Sequence, residues 1–301
     1  MGMMPSPYGT QLPYEEKDTK VVGTNPKERP DAVDKVTGRA RYAADINLPG
    51  QLIGKVLRSP HAHANIKSID TSAAEALDGV KAVVTSADFP DQPVLHASGG
   101  EIMINFRDVT RNMMAREKAL YDGHPVAAVA ATSESIAKAA MKLIKVDYEV
   151  LPHVIEVVAA MAEAAPLLNE EQFTRGIEPA PEKPSNIAAR MVTKLGDAEA
   201  GFKAADLVIE REFDTKAAHQ GYIEPHASIA NYTEGGNAEV WTSTQGHYMN
   251  RAQTAKVLEM DMSKIKVMPA EIGGGFGGKN LIYLEPLAIR LSQKSQRPVK
   301  M

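Results

Sequence analysis

A run of five glycines around one phenylalanine, at residues 273–278, constrains this chain more than any other feature. It follows a strand-like stretch at 264–270 and precedes a helix-like stretch at 281–293. Glycine allows positive φ and brings backbone amides against a ligand with no Cβ in the way. These amides also share the positive end of a helix dipole, worth roughly 0.3–1 kcal/mol per favourable charge. The glycine loop, residues 273–279, therefore predicts a site for an anionic or strongly electronegative group.

Two common phosphate-binding motifs fit the same glycines only in part. Gly273, Gly275 and Gly278 spell G-x-G-x-x-G, but the acidic residue that should follow about twenty positions later is missing. Gly273, Gly278 and Lys279 spell G-x-x-x-x-G-K, but Asn280 stands where a Ser or Thr would hold magnesium. A purely structural glycine turn is a third interpretation. The motifs alone leave these alternatives open.

The composition excludes several classes of protein. The 301 residues include no cysteine, so the chain holds no disulfide, thiolate metal site or iron–sulfur cluster of its own. Its formal net charge of -4 provides no basic excess to neutralise phosphates, which argues against nucleic-acid binding. No N-terminal leader is visible, and no apolar run approaches the about 18 residues of a membrane span. We therefore expect a cytoplasmic protein with no membrane span.

The pattern of apolar residues predicts an α+β chain in two units. A Pro- and Gly-rich arm at 1–20 precedes a first unit at 21–163, a linker at 164–185 and a second unit at 186–301. In the first unit the predicted elements are strands at 51–59, 81–85, 125–131 and 145–150 and a helix at 134–144. In the second unit they are helices at 196–205, 248–260 and 281–293 and strands at 207–215, 227–233, 238–244 and 264–270.

Two groups of histidines are candidate metal ligands, and neither forms a strong site. His61 and His63 form H-x-H, but a pair without a third ligand makes a weak site. His219, Glu224 and His226 are close in sequence, but their spacing does not place them on one strand face. We therefore predict that no side chain of this chain binds a metal ion directly.

The glycine loop belongs to a longer pattern that resembles the xanthine oxidase family of molybdenum hydroxylases. GGGFGGK at 273–279 follows TSTQ at 242–245, as in the molybdopterin-binding region of that family. Residues 31–70 and 120–152 resemble the opening and closing parts of its α/β-hammerhead domain. Residues 196–213 resemble the start of its molybdenum-binding region. The resemblance implies an α/β-hammerhead domain in the first unit, followed by the first part of the molybdenum-binding domain in the second.

The resemblance also implies which residues hold the cofactor. Gln245 and the amide of Gly277 would bond oxo groups on the metal, while Gly274, Gly275 and Phe276 would pack against the pterin. An amide side chain and bare N–H groups stabilise oxo ligands without adding charge. Taken without the resemblance, Gln245 would more simply be a strand-end amide bonded to local backbone.

Three further residues, Asn280, Tyr222 and Glu224, are expected on the substrate side. In purine-hydroxylating members of the family a glutamate directly follows GGGFGGK, so Asn280 disfavours a purine substrate. The family's subunit continues well beyond the glycine loop and carries its general base there. The resemblance therefore implies no catalytic residue on this chain and a second molybdenum-domain subunit as its partner.

The implied enzyme is a multisubunit oxidoreductase that hydroxylates a heterocyclic, aromatic or aldehyde substrate with water-derived oxygen. The molybdopterin cofactor is expected in its cytosine dinucleotide form. Because this chain lacks cysteine, 2Fe–2S clusters are expected on an iron–sulfur subunit, and FAD on a flavin subunit. Two alternatives stay open: a reductive or hydratase-like reaction on an aryl thioester or enone with the same cofactor, and a non-catalytic scaffold subunit.

Overall fold

The computed structural model describes residues 30–98 and 103–301. The predicted arm at 1–20 lies outside these residues. The chain divides into two compact units, Met1–Ala40 and Arg41–Met301. The described part of the first unit contains helix α1, Ala32–Val36. The helices and strands that position the candidate site all belong to the larger compact unit, Arg41–Met301.

Mixed β-structure forms the framework of the second unit. Its strands are β1 (Leu52–Arg58), β2 (Ala64–Asp70), β3 (Val80–Thr85), β4 (His96–Ser98), β5 (Met103–Asn105), β6 (Lys118–Ala119), β7 (Pro125–Ala131), β8 (Lys145–Val150), β9 (Ser228–Tyr232), β10 (Ala238–Thr242), β11 (Ile265–Met268) and β12 (Val299–Lys300). Seven strands form one sheet in the order β11-β10-β9-β12-β1-β7-β3. In that sheet β1 runs parallel to β12, and β10 parallel to β11, whereas the other pairs are antiparallel. A smaller sheet has the order β6-β2-β8, and β4 pairs with β5.

Helices cover both faces of the large sheet. The helices of Arg41–Met301 are α2 (Ser72–Glu75), α3 (Phe106–Met113), α4 (Glu134–Leu143), α5 (Val157–Ala160), α6 (Ala198–Ala204), α7 (His247–Leu258) and α8 (Glu285–Ser295). In the stretches that the structure describes, none of these helices combines the length and the apolar character needed to cross a bilayer.

The sequence of β7, PVAAVAA, explains why helices approach the sheet from both sides, since all seven of its residues are buried. Successive side chains of a strand point to opposite faces. Ala127 and Val129 join an apolar cluster with Ala140 of α4. Ala128 and Ala130 instead belong to the main core, which includes the buried face of α8. Small side chains on both faces of β7 therefore let α4 and α8 pack closely.

The predicted α+β fold class is confirmed, and several elements lie where the sequence pattern places them. The strands predicted at 125–131 and 145–150 correspond to β7 and β8, and the helix at 134–144 ends one residue earlier as α4. The helix predicted at 281–293 begins later, at Glu285, with Pro286 in its first turn. Proline suits the first helical turn, where a backbone amide has no intrahelical partner.

The strand predicted at 207–215 is wrong for this structure. These residues run without helix or strand and pair with no strand of the described residues. A β-strand requires hydrogen bonds from a neighbouring strand, and strand-like side chains do not replace that neighbour. The large sheet meanwhile includes β1, β3 and β7 from the first predicted domain and β9–β12 from the second. The proposed domain division itself stays a prediction.

Candidate functional site

The glycine loop is held at both of its ends. At the start, the amide of Gly273 donates to Oε2 of Glu224 at 2.7 Å. At the end, the carbonyl of Lys279 accepts from the backbone amide of Gln245 at 3.1 Å and from the hydroxyl of Thr244 at 3.2 Å. These contacts fix the loop against the chain that leaves β10 and against the stretch before β9.

A buried ion pair joins the two ends of the loop to each other. The Nζ of Lys279 lies 2.8 Å from both Oε2 and the backbone carbonyl of Glu224. The two side chains are 0% and 8% exposed, and Nζ also lies 4.8 Å from the centroid of the Tyr222 ring. A buried charge requires such a partner, because an unpaired ion in the interior is strongly unfavourable. The carboxylate of Glu224 therefore contacts both the first residue of the loop, Gly273, and the last, Lys279.

Two glycines of the loop differ in how much space their surroundings leave for a side chain. A Cβ on Gly275 would lie 2.5 Å from Oε1 of Gln245, so only glycine permits this close approach. Gly277 has φ +87°, and a Cβ there would meet no atom within 4 Å, so the backbone is open on that side. Between them Phe276 takes φ +49° and leaves 71% of its surface exposed. The loop thus presents bare backbone and an aromatic ring to its surroundings.

Among the described residues, Gln245 uses only the oxygen end of its side-chain amide. Its Oε1 accepts from the amide of Gly277 at 3.0 Å and from the amide of Lys279 at 3.2 Å. The residue is exposed, and its NH₂ group has no acceptor in the part of the chain that the structure describes. That NH₂ group is therefore a free donor beside the open turn. The amide of Gly277 already has an acceptor in Gln245, and its contact with an oxo group stays a prediction.

Tyr222 connects two histidines to this arrangement. Its hydroxyl lies 3.2 Å from Nε2 of His219 and 3.0 Å from Nε2 of His226. Burial lowers the pKa of His226, and the nearby Glu285 carboxylate opposes that change in part. His226 therefore favours its neutral form near neutral pH, where its Nε2 can exchange a hydrogen bond with the tyrosine.

A second buried carboxylate positions the segment that ends in Gln245. Oε1 of Glu285 accepts from the hydroxyl of Thr242 at 2.6 Å and from Nδ2 of Asn250 at 2.9 Å. Its Oε2 accepts from the amide of Tyr283 at 3.0 Å. Glu285 lies in the first turn of α8, where the helix dipole stabilises a negative charge. The end of β10, helix α7 and the start of α8 therefore meet at one carboxylate.

The structure brings most of the predicted site residues together. Gln245, Tyr222 and Glu224 all contact the glycine loop, and Asn280 directly follows it in a half-buried position. The pairing of Lys279 with Glu224 was not predicted. Its only sequence signals are a lysine directly after the glycine run and a glutamate in the stretch YIEPH. Among the described residues, no group of three or more acidic, histidine or cysteine side chains is arranged to hold a metal ion.

The sequence matches two families of known domains. Residues 37–152 match the a/b hammerhead domain of aldehyde oxidase and xanthine dehydrogenase. Residues 179–301 match the molybdopterin cofactor-binding domain. The chain belongs to the xanthine oxidase family. The predicted family and the predicted succession of its two domain types are thereby confirmed.

Curated relatives show the same family over nearly the whole chain. A probable xanthine dehydrogenase subunit from Bacillus subtilis is 34% identical over 291 residues, which cover 93% of this chain and 35% of that protein. The nicotinate dehydrogenase large molybdopterin subunit of Eubacterium barkeri is 31% identical, over 95% of this chain and 62% of that subunit. The chain thus spans about a third of the first relative's length and less than two thirds of the second.

Solved structures agree with the sequence relatives. Quinoline 2-oxidoreductase from Pseudomonas putida 86 superposes with a TM-score of 0.73 at 30% identity, covering 90% of this chain and 33% of that one. Reconstituted CO dehydrogenase from Oligotropha carboxidovorans gives a TM-score of 0.75 at 30% identity, covering 91% and 34%. The architecture described above is therefore that of one part of a larger family subunit.

The local geometry fits a molybdopterin-type cofactor. The open backbone at Gly277 and the exposed ring of Phe276 provide a face without side-chain obstruction. The NH₂ group of Gln245 is an uncharged donor suited to an oxo ligand. The described part of the chain offers hydrogen-bond donors and contact surface to such a group, without a cluster of side chains that would bind its metal directly.

Proposed function

We propose that this chain holds one face of the molybdopterin cofactor in a multisubunit molybdenum hydroxylase. The observation that supports this most is the NH₂ group of Gln245, which has no acceptor among the described residues and lies beside the open turn at Gly277. In the proposed site Gln245 donates to an oxo ligand of the metal, and Gly274, Gly275 and Phe276 pack against the pterin. The Lys279–Glu224 pair holds the loop so that the donor and the packing residues keep their positions.

The cofactor, when bound, supplies transfer of water-derived oxygen to the substrate and accepts two electrons. The residues of this chain bind and orient it. In this proposal the general base lies on a second molybdenum-domain subunit. Iron–sulfur clusters and FAD lie on further subunits, consistent with the absence of cysteine here. The cofactor is proposed in its cytosine dinucleotide form.

The substrate proposed is a nitrogen heterocycle other than a purine. Quinoline 2-oxidoreductase and nicotinate dehydrogenase, two of the similar proteins, are named for such compounds. Asn280 follows the buried Lys279, at the position where the resemblance implies a glutamate in purine-hydroxylating members. An amide at this position can orient a neutral ring through one donor and one acceptor.

The replacement Gln245→Ala tests the proposed function. The complex would be purified from its native host through a tag on this chain and assayed for molybdenum per protein, electron paramagnetic resonance and turnover of quinoline, nicotinate, xanthine and benzaldehyde. Removal of one donor that acts on developing charge typically lowers turnover by about 10²–10³-fold. We expect that loss, with most of the molybdenum retained and an altered Mo(V) spectrum.

A matched control is Gln172→Ala, because the NH₂ group of Gln172 bonds to the backbone carbonyl of Phe173 next to it. We expect this variant to behave like the natural chain in all three assays. Unchanged turnover and spectrum in a fully loaded Gln245→Ala complex would contradict the role given to Gln245. A natural complex without molybdenum would favour the scaffold alternative.

A further inference from the structure

Two histidines and one tyrosine form a continuous row of hydrogen bonds beside the glycine loop. The hydroxyl of Tyr222 lies 3.2 Å from Nε2 of His219 and 3.0 Å from Nε2 of His226. At the outer end of this His–Tyr–His row, Nδ1 of His219 accepts from the backbone amide of Gly221 at 3.0 Å. His219 is exposed, whereas Tyr222 and His226 are half-buried. The row therefore leads from an exposed imidazole to a half-buried one.

The backbone amide of Gly221 fixes the direction of every hydrogen bond in this row. An amide N–H only donates, so Nδ1 of His219 carries no proton, and the neutral imidazole carries its proton on Nε2. That Nε2 donates to the oxygen of Tyr222. The tyrosine has one proton of its own, and it donates this proton to Nε2 of His226. Neutral His226 consequently carries its proton on Nδ1, so the two rings are opposite tautomers.

Charges of both signs surround the inner histidine of the row. The titratable groups that face His226 are Glu285 and Tyr283 beside the start of α8, Lys279 of the glycine loop, and Glu224, Tyr222 and His219 of its own stretch. Burial lowers the pKa of His226 most, and the Glu285 carboxylate raises it in part. The ring is therefore neutral at rest near neutral pH, and nearby carboxylates stabilise a proton that arrives on it.

We propose that Tyr222 relays one proton between His219 and His226, so that the site beside the glycine loop exchanges protons with water. This inference rests on the proposed function. A hydroxyl that accepts on one side and donates on the other can gain one proton and release another while its ring stays in place. The opposite tautomers of the two histidines are the condition for such a transfer.

The transfer balances with one proton from water and no electrons. A proton binds Nδ1 of His219, and the amide of Gly221 releases that nitrogen. The Nε2–H bond of His219 then breaks as a new O–H bond forms on Tyr222. The original O–H bond of Tyr222 breaks as an N–H bond forms on Nε2 of His226, which becomes the imidazolium. In reverse, the same steps carry a proton from His226 out to water.

Tyr222 brings the row into contact with the glycine loop. A Cβ on Gly278 would lie 2.8 Å from Cε1 of Tyr222, and Nζ of Lys279 lies 4.8 Å from the centroid of its ring. Hydroxylation of a C–H group by water releases two protons together with the two electrons that the cofactor accepts. These protons must leave the site in each turnover. The His–Tyr–His row provides an exit for one of them.

The opposite tautomers can be observed directly in the complex from the native host. Isotope-labelled histidine would be incorporated there, and solid-state NMR of the purified complex would assign each ring proton to Nδ1 or Nε2. Difference spectra against His219→Gln and His226→Gln would identify the two rings. At about pH 8, above the ordinary histidine pKa of about 6.5, we expect the proton on Nε2 of His219 and on Nδ1 of His226.

The same tautomer in both rings, or a proton on Nε2 of neutral His226, would overturn the relay. Tyr222 could then not accept from one ring and donate to the other. This measurement requires neither substrate nor turnover. Molybdenum per protein is measured on the same preparation. A loaded complex with the wrong tautomers overturns only the relay, whereas a natural complex without molybdenum overturns the proposed function.

The replacement Tyr222→Phe tests the transfer itself, because it removes the hydroxyl and keeps the ring on the glycine loop. Turnover would be measured with whichever of quinoline, nicotinate, xanthine and benzaldehyde the natural complex oxidises. Proton transfer by a positioned side chain typically contributes about 10²–10⁴-fold, so we expect kcat to fall by about 10-fold or more at unchanged KM. The solvent isotope effect on kcat should rise, and added imidazole should restore most of the lost rate by carrying the proton from solution.

Tyr148→Phe is the matched control, since the ring of Tyr148 also meets a histidine, His61, edge-on at 5.0 Å but lies in β8. We expect it to leave kcat and the solvent isotope effect unchanged. Unchanged kcat in Tyr222→Phe would overturn the relay. So would a loss of kcat without a larger isotope effect and without rescue by imidazole, because Tyr222 would then only support the loop. The tautomer measurement decides the question if Tyr222→Phe does not fold.

Discussion

The glycine loop and the stretch at 207–216 both lack regular secondary structure, but they are held in opposite ways. Each takes part in a lysine–carboxylate pair, which makes the difference easy to compare. The pair Lys279–Glu224 is buried, whereas the pair Lys216–Asp214 is 93% and 77% exposed. Among the described residues, the loop is hydrogen-bonded to Glu224, Thr244 and Gln245, whereas Leu207, Ile209 and Phe213 remain exposed. The order of an irregular segment therefore depends on whether its polar groups and apolar side chains have partners.

The largest expected effect comes from breaking the buried pair. Lys279→Met leaves the Glu224 carboxylate buried without a cation, which typically lowers the free energy of unfolding by about 3–5 kcal/mol. Lys216→Met removes only an exposed pair and should change it by less than about 0.5 kcal/mol. Urea unfolding of both variants measures the contrast. Equal losses of unfolding free energy in the two variants would mean that the two regions are held alike. Adding Glu224→Gln to Lys279→Met should restore part of the stability, which would confirm that the uncompensated carboxylate causes the loss.

A smaller effect is expected from two glycine replacements. Gly275→Ala places a methyl group 2.5 Å from Oε1 of Gln245, and such overpacking typically costs about 1–3 kcal/mol. Gly201→Ala, in α6, meets nothing within 4 Å and should stabilise the helix by about 0.5–1 kcal/mol. Thermal unfolding and molybdenum content would show both signs. A harmless Gly275→Ala would contradict the close packing of Gln245 on the loop.

The smallest effect concerns pH and His226. Burial lowers the pKa of His226 in the folded chain below the about 6.5 of an unfolded histidine. The unfolded chain then binds the proton more readily, so this contribution to stability is complete above about pH 6.5 and is lost as pH falls below it. Unfolding measured between about pH 7.5 and 5 should show the decrease. His226→Gln should flatten it, and an unchanged slope would assign the dependence to other groups.

Local sequence patterns were sufficient to predict structure where residues of the segment itself determine the conformation. The run PVAAVAA predicts β7 because every residue suits a strand buried on both faces. Thr132 and Ser133 before Glu134 predict the start of α4, and the hydroxyl of Ser133 does accept from the amide of Ile136. The glycine loop is likewise evident because no other residue type allows its close approach to Gln245.

Contacts between distant residues could not be predicted in the same way. The sequence does not predict the contact of Lys279 with Glu224, which are 55 positions apart. Charged side chains are mostly exposed, so a sequence-based prediction places both residues on the surface. The prediction of a strand at 207–215 failed for a related reason. The pattern of its side chains is correct for a strand, but pairing depends on residues that the sequence of the segment does not contain.

The two-residue strand β12 has a consequence for how the chain is made. Val299 pairs with Leu52 on one side and with Ala230 on the other, and it is the join between β1 and β9. Strands β1, β7 and β3 can associate early in synthesis, but the edge of β1 that meets β12 has no partner until residue 300 has left the ribosome. Non-local pairing of this kind is slow to form, and an open edge invites aggregation meanwhile. Newly made chains should therefore depend on chaperones until that last pairing closes the sheet.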